Sequence, residues 1–283
     1  MIPSSDTLSR VDFADPVRSR LRVTFHGVRG SRPTPKASHL KFGGNTTCLE
    51  IRSGEHRLLI DAGTGIVGAA DTGVREQVDL LITHFHWDHI HGLPFFAPLF
   101  DPDSRLTVFT GHPADLAMST LEQQMTGLYS PALEFAAAAR EYVQIDRHAF
   151  SRGDMSIRPF PLHHPQGAWG YRIETNGAAI VHASDVEHGD ATLDAVLREY
   201  AEGADVLIYD AQYTEEEYLS KRGWGHSTWL EATRVARDAG VKQLVLFHHD
   251  PLHDDETMHG IVNRARRHFE STDAAREGTT ITI

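Results

Sequence analysis

The segment from His84 to His89 constrains this chain more than any other stretch, because it places three histidines and an aspartate directly after an apolar run. That run, residues 78–83 (VDLLIT), has the length and composition of a buried strand. Side chains alternate along a strand, so His84 and His86 point the same way, and Asp88 and His89 follow where the chain turns. Imidazole nitrogen and carboxylate oxygen are the ligands that zinc and similar ions take in open, catalytic sites. The segment therefore predicts a metal site rather than a solvated histidine-rich turn.

Composition and charge are those of an acidic protein with ample material for a core. The chain has 283 residues, of which 40% are hydrophobic, and 27 Lys and Arg stand against 39 Asp and Glu. The resulting net charge of −12 opposes binding to a nucleic-acid backbone, whose contacts depend on Lys and Arg. Cys48 is the single cysteine, which excludes an intramolecular disulfide and suits a reducing compartment. The absence of a signal-like or membrane-length apolar run leads us to expect a cytoplasmic protein without membrane association.

The pattern of elements indicates one α/β domain. Residues 1–20 are polar and aperiodic, and we expect them to form a flexible leader before a single domain over residues 21–283. Helices are expected over residues 113–125 and 133–140, and a third should begin at Thr228, which has capping-box spacing to Glu231. Strand-like segments are more numerous, and they cover residues 21–26, 47–52, 57–60, 78–83, 155–161, 170–174, 178–182, 206–209 and 241–247.

Further candidate ligands follow other strands of this series. His163 and His164 come after the strand expected over residues 155–161, Asp185 after the one over residues 178–182, and the pair His248-His249 after the last. A single histidine at a strand end is weak evidence for a site. Several His and Asp residues at strand ends are stronger evidence, because the ends of different strands can meet at one edge of a sheet. The residues alone do not decide between His163 and His164, or between His248 and His249.

Taken together, these segments resemble the metallo-β-lactamase fold superfamily from about Leu21 onward. The resemblance implies an α/β fold, an αββα sandwich of two mixed β-sheets flanked by helices, with two divalent metal ions at one edge of the sheets. Zinc is the expected metal, with manganese and iron as alternatives. The residues that match the family's ligands are His84, His86 and His164 for one ion, Asp88, His89 and His248 for the other, and Asp185 bridging both.

A finer resemblance concerns the segment Gly225-His226-Ser227-Thr228, which is similar to the tRNase Z and phosphodiesterase branch. That branch implies a metal-dependent hydrolase in which a hydroxide bridging the ions attacks phosphorus, Asp88 assists it, and His226 protonates the leaving group. The expected substrate is a small phosphodiester, such as a cyclic nucleotide or a sugar-phosphate diester. Because the chain is acidic and has no long basic arm between Pro94 and His164, tRNA is not expected as a substrate. The resemblance also allows a homodimer.

Two other hypotheses keep the same metal site. A lactonase or thioesterase would hydrolyse a carboxylic ester, and replacement of His226 would then have little effect. A non-catalytic or redox-linked member would bind the ions without hydrolysis. Around the site, Asp61 is a candidate to fix a ligand histidine by a hydrogen bond, and Trp87, His91 and Trp224 are candidates to line a substrate pocket.

Overall fold

The computed structural model describes residues 20–70 and 76–283. The leader expected over residues 1–20 therefore lies almost wholly outside the described residues, and the extent of the single domain stays a prediction. Within the described residues, the strands form two seven-stranded mixed sheets. This arrangement confirms the α/β class and the αββα sandwich.

The first sheet has the order β14-β1-β2-β3-β4-β5-β6. Its strands β3 to β6 are parallel to one another, whereas β14, β1, β2 and β3 pair antiparallel. The strands are β1 Arg22–Gly27, β2 Cys48–Ser53, β3 His56–Ile60, β4 Gln77–Ile82, β5 Arg105–Thr110, β6 Ala139–Gln144 and β14 Thr280–Thr282.

The second sheet has the order β13-β12-β11-β10-β9-β8-β7. Strands β10 to β13 are parallel, and β7 to β10 are antiparallel, so β8 and β10 run in the same direction on either side of β9. The strands are β7 Phe150–Arg152, β8 Met155–Leu162, β9 Ala168–Thr175, β10 Ala178–Ala183, β11 Val206–Asp210, β12 Gln243–Phe247 and β13 Thr272–Ala274.

Three apolar layers hold the sandwich together, and alternation along the strands assigns residues to them. On β12, Val245 and Phe247 pack between the two sheets, whereas Leu244 and Leu246 pack against the helices outside the second sheet. On β4, Leu81 packs between the sheets, whereas Leu80 and Ile82 pack in the layer outside the first sheet. Both faces of these strands are covered, and their buried residues are accordingly apolar.

The α-helices flank the sheets, and short 3₁₀ turns connect several strands. The helices are α1 Trp87–Ile90, α2 Ala114–Glu122, α3 Ala191–Ala201, α4 Glu215–Tyr218, α5 Trp229–Asp238 and α6 Asp255–Arg266. Helix α5 begins as expected, since Thr228 caps it by accepting a hydrogen bond from the Glu231 amide. Among the described residues, no helix has the length and hydrophobicity that a membrane span requires.

The helix expected over residues 133–140 is wrong. A 3₁₀ turn, Leu133–Phe135, is followed by β6, which pairs in parallel with β5 at the edge of the first sheet. Alanine favours a helix, but its intrinsic preference is only about 0.5 kcal/mol per residue. The backbone hydrogen bonds of β6 to the neighbouring strand outweigh this preference. The helix expected over residues 113–125 is present in shorter form as α2.

Candidate metal centre

The histidines and aspartates that follow the strands meet at one edge of the sandwich. His84 follows β4, His164 follows β8, Asp185 follows β10, and His248 follows β12. The two sheets are joined at this edge by hydrogen bonds, since the Tyr171 hydroxyl donates to the Ile82 carbonyl at 2.9 Å. The fold therefore gathers side chains that lie more than half the length of the sequence apart, as His84 and His248 do.

One group of potential ligands consists of His84, His86 and His164, whose ligand nitrogens lie within 4.8 Å of one another. His164 Nε2 lies 3.2 Å from His86 Nδ1, which is too close for two like lone pairs unless a proton or a cation lies between them. His86 precedes the first residue of α1, and Asp88 and His89 lie within that helix.

A second group consists of Asp88, His89 and His248, with the same limit of 4.8 Å between ligand atoms. Asp88 Oδ2 lies 3.2 Å from His248 Nε2 and 3.5 Å from His89 Nε2. The backbone amide of Ser31 also donates to Asp88 Oδ2 at 2.6 Å, which brings the loop after β1 against the site.

Asp185 lies between the two groups. Its Oδ1 is 3.8 Å from His84 Nε2, and its Oδ2 is 3.1 Å from His89 Nε2 and 3.3 Å from His248 Nε2. Asp185 and His248 both have positive φ, at 61° and 60°, a conformation that non-glycine residues rarely adopt outside constrained sites. The position of Asp185 is that of a carboxylate able to contact two ions at once.

Outer hydrogen bonds orient the imidazoles toward this centre. His89 Nδ1 lies 2.8 Å from Asp61 Oδ2, His164 Nδ1 lies 2.8 Å from the Gly225 carbonyl, and His248 Nδ1 lies 2.8 Å from Gln212 Oε1. An acceptor at Nδ1 keeps the proton there and leaves Nε2 as a lone pair for a metal. Asp61 thus contacts a candidate ligand histidine as the sequence indicated.

The electrostatics of the centre favour bound cations. The pKa of His248 would fall on burial, but Asp185 and Asp88 raise it to about 9. Burial likewise acts to raise the pKa of Asp185, yet His248 and His89 hold it well below the usual range. Buried carboxylates at this density attract positive charge, whether as protons on the imidazoles or as metal ions.

The donor set fits divalent ions such as zinc. Within the described residues, His84 Nε2 is buried and has no hydrogen-bond partner, although it faces Asp185. A buried polar atom without a partner costs free energy that a metal bond would offset. The His and Asp clusters can therefore bind divalent metal, whereas the ligand role of each residue stays a prediction.

His226 and Asp210 form a buried pair beside the centre. His226 Nδ1 lies 2.9 Å from Asp210 Oδ2, and the His226 ring stacks on that of His248 with centroids 4.9 Å apart. Asp210 also accepts backbone hydrogen bonds from Asp185 at 3.1 Å and from Gln212 at 3.0 Å. These bonds occupy its oxygens, so Asp210 is better suited to positioning His226 than to ligating metal.

The structure distinguishes the neighbouring histidines between which the sequence did not decide. His163 Nδ1 contacts the Glu187 carbonyl at 3.0 Å, and His249 Nε2 contacts the Ala275 carbonyl at 2.9 Å, so neither belongs to the ligand groups. His164 and His248 lie in those groups. Asp210 was missed from the sequence, although it ends an apolar strand in the same way that the other acidic candidates follow theirs.

Comparisons with known proteins agree with this fold. The model of the β-lactamase superfamily domain matches residues 56–249. The chain is 25% identical to ribonuclease Z from Thermoplasma acidophilum, over 90% of this chain and 94% of that protein. It is 28% identical to ribonuclease Z from Haloferax volcanii, over 81% of this chain and 84% of that protein.

Two solved structures share the fold over almost their whole length. The metallo-β-lactamase fold protein YhfI from Bacillus subtilis superposes with a TM-score of 0.74 at 20% identity, covering 94% of this chain and 100% of that one. A diphosphatase from the PhnP family superposes with a TM-score of 0.67 at 17% identity, covering 93% of this chain and 97% of that one.

These relatives correct one expectation from the sequence. The exclusion of tRNA as a substrate is wrong, because relatives named ribonuclease Z align along most of the chain. Net charge was a poor guide, since it sums the whole surface, whereas bound cations dominate the field within a site. The family model matches this chain, and the fold and the cluster of His and Asp side chains agree with that match. The chain therefore belongs to the β-lactamase domain superfamily and is a metal-dependent hydrolase.

Proposed function

We propose that this protein is a binuclear metal-dependent phosphodiesterase, with zinc as the expected metal. The observation that carries the proposal is the Asp210–His226 pair beside the ligand groups, because a phosphodiester with an alkoxide leaving group needs a proton donor at that place. The ribonuclease Z relatives support the same bond type.

In this proposal the ligands are the residues that the resemblance to the superfamily implies. They are His84, His86 and His164 for one ion, Asp88, His89 and His248 for the other, and Asp185 between them. Bound divalent ions would supply Lewis-acid chemistry, which polarises a phosphoryl oxygen and lowers the pKa of water.

The protein's own groups supply orientation and proton transfer. Asp88, held by the Ser31 amide, orients the attacking water by accepting its hydrogen bond. Asp210 keeps the His226 proton on Nδ1, so a protonated His226 can deliver the proton of Nε2 to the departing oxygen. Asp210 acts through His226 and is a positioning residue.

For the substrate we propose a small diester, such as a cyclic nucleotide or a sugar-phosphate diester. RNA is the second candidate, and the ribonuclease Z relatives favour it. A carboxylic ester of the lactone or thioester type is the alternative on the same metal site.

The test is hydrolysis by protein whose metal content has been measured. We would compare bis(p-nitrophenyl) phosphate, cyclic AMP and a short RNA with a p-nitrophenyl carboxylic ester and a lactone. The proposal expects turnover of diesters, loss of turnover and metal in His164→Ala, and retention of both in the matched control His163→Ala. Turnover confined to the ester or the lactone would assign the alternative reaction and contradict the proposal.

A further inference from the structure

The loop over residues 223–227, which contains the proposed proton donor, is held on one side by Glu187. We name it the donor loop. Glu187 is buried, with 6% of the residue exposed. Its Oε2 accepts a hydrogen bond from the Gly225 amide at 2.8 Å, and its Oε1 accepts from the Gly223 amide at 2.7 Å and from the Tyr218 hydroxyl at 3.0 Å. The proposed mechanism assigns no role to this carboxylate.

The two amides that Glu187 holds belong to glycines on either side of Trp224. The φ angle is 83° at Gly223 and 87° at Gly225, in the left-handed region that glycine adopts readily. Glycine also adopts many other conformations, so these residues alone do not specify the path of the loop. Hydrogen bonds to a carboxylate are charge-assisted and about twice as strong as neutral ones. The Glu187 carboxylate therefore selects one conformation of the donor loop.

This conformation determines a contact with one of the candidate ligands. His164 Nδ1 donates to the Gly225 carbonyl at 2.8 Å. The loop backbone lies so close to the ring that a Cβ added at Gly225 would be 2.3 Å from His164 Nδ1. The residue whose amide is held by Glu187 thus fixes the Nδ1 proton of His164 through its carbonyl. Glu187 is connected to a candidate metal ligand through a single glycine.

The same loop places His226 beside Asp210. Gly225 directly precedes His226 in the chain, and its amide is held by Glu187. The Ser227 amide, which directly follows His226, donates to Asp210 Oδ1 at 3.2 Å. The backbone is therefore fixed by one carboxylate before His226 and by another after it.

The backbone of Glu187 is itself fixed relative to the candidate ligands. Its amide donates to the His163 carbonyl at 2.7 Å, directly before His164 in the chain. Asp185, at the end of β10, lies two residues before Glu187. The residue is thus joined to the ends of two strands that carry candidate ligands, and its carboxylate reaches from there to the donor loop.

We propose that Glu187 is a positioning residue that aligns a metal ligand, His164, and the proton donor, His226, through the donor loop. This proposal rests on the proposed phosphodiesterase function and adds a residue to its machinery. Glu187 belongs to none of the ligand groups among the described residues, so it acts through Gly225.

The first part of the test is Zn²⁺ affinity, which does not depend on any reaction. In Glu187→Ala the donor loop loses its acceptor, so the Gly225 carbonyl no longer holds His164 in one orientation. Loss of a direct partner of a ligand histidine weakens metal binding about 10- to 100-fold. Because Glu187 acts one residue further out, we expect a loss of about tenfold for one of the two ions, measured by competition with a chromophoric chelator.

The second part is the ratio of kcat for cyclic AMP to kcat for methyl p-nitrophenyl phosphate, in protein saturated with Zn²⁺. Cyclic AMP releases an alkoxide that needs a proton, whereas p-nitrophenolate leaves without one. We expect Glu187→Ala to lower this ratio by about tenfold, which is part of a general-acid contribution of about 10²- to 10⁴-fold. A purely structural role would lower the thermal stability and leave the ratio unchanged.

Glu231→Ala is the matched control. Glu231 is 8% exposed and lies five residues after His226, but its carboxylate pairs with Arg198 at 3.6 Å and with Arg234 at 3.1 Å. Its removal should leave the Zn²⁺ affinity and the kcat ratio unchanged, whatever its effect on Tm. Glu187→Gln is measured as well, because it keeps the size of the side chain and one acceptor oxygen. It should fold even if Glu187→Ala does not, and show smaller losses in both quantities.

The outcomes distinguish this proposal from the proposed function. If wild type hydrolyses neither diester, the phosphodiesterase function fails, but weaker Zn²⁺ binding in the Glu187 variants alone still supports the positioning of His164. If wild type hydrolyses both diesters, a change in only one of the two quantities overturns the positioning role, since the loop holds both histidines. Wild-type values of both quantities in the Glu187 variants, or equal losses in Glu231→Ala, would overturn it as well.

Discussion

The role of His226 leads to a quantitative prediction, because a general acid matters only when the leaving group needs its proton. In His226→Ala, we expect kcat for cyclic AMP, which releases a sugar alkoxide, to fall about 10²- to 10⁴-fold. That fall corresponds to about 2.7–5.4 kcal/mol of transition-state stabilisation. The upper part of the range is expected, since His226 is buried and its hydrogen bond to Asp210 is charge-assisted and shielded from solvent.

The same substitution should have little effect on methyl p-nitrophenyl phosphate, whose p-nitrophenolate leaves without protonation. The expected change there is less than about fivefold, because only the general-acid contribution is lost. The fold should persist, since Asp210 keeps its hydrogen bonds from the amides of Asp185, Gln212 and Ser227.

The assay is steady-state kinetics on both diesters at matched metal content, with His163→Ala as the control histidine. Similar losses on the two substrates would refute the proton-donor role and indicate a general disturbance of the site. Unchanged hydrolysis of cyclic AMP by a metal-loaded variant would refute it as well.

Three further predictions concern groups around the centre. Asp61→Asn should weaken metal binding about 10- to 100-fold, because it weakens the acceptor that orients His89, and chelator competition measures this; unchanged affinity would contradict it. Gly30→Ala should lower the metal content, because the added Cβ would clash with the His248 ring. Full metal occupancy, measured by mass spectrometry, would contradict this and show that the loop moves to accommodate the Cβ. Cys48 is buried and its thiol pKa is raised by burial, so it should react with Ellman's reagent only after denaturation, and rapid labelling of native protein would be the contrary result.

The sequence was sufficient to predict that His84, His164, Asp185 and His248 lie close together, because each of them follows an apolar strand. His84 and Asp185 could be assigned to strand ends without knowing which strands are neighbours. The residues alone did not distinguish His248 from His249, because both follow the same strand. In the structure the His248 ring contacts Gln212, whereas the His249 ring contacts the Ala275 carbonyl.

Other parts of the site could not be predicted because they depend on contacts between distant segments. Asp210 acquires its role from His226, which lies on a separate loop, and nothing local in the sequence joins them. The helix expected over residues 133–140 rested on the alanines that precede β6, whereas the pairing of β6 with β5 decides the conformation at its end.

The central claim is that these side chains hold two divalent ions for hydrolysis of a phosphodiester. The most direct measurement is the number of ions per chain, by inductively coupled plasma mass spectrometry, in wild type and Asp185→Ala, alongside diester turnover. Because Asp185 contacts both ligand groups, we predict two ions and turnover in wild type, and fewer ions with little turnover in the variant. An Asp185→Ala protein with two ions and full turnover would contradict the account.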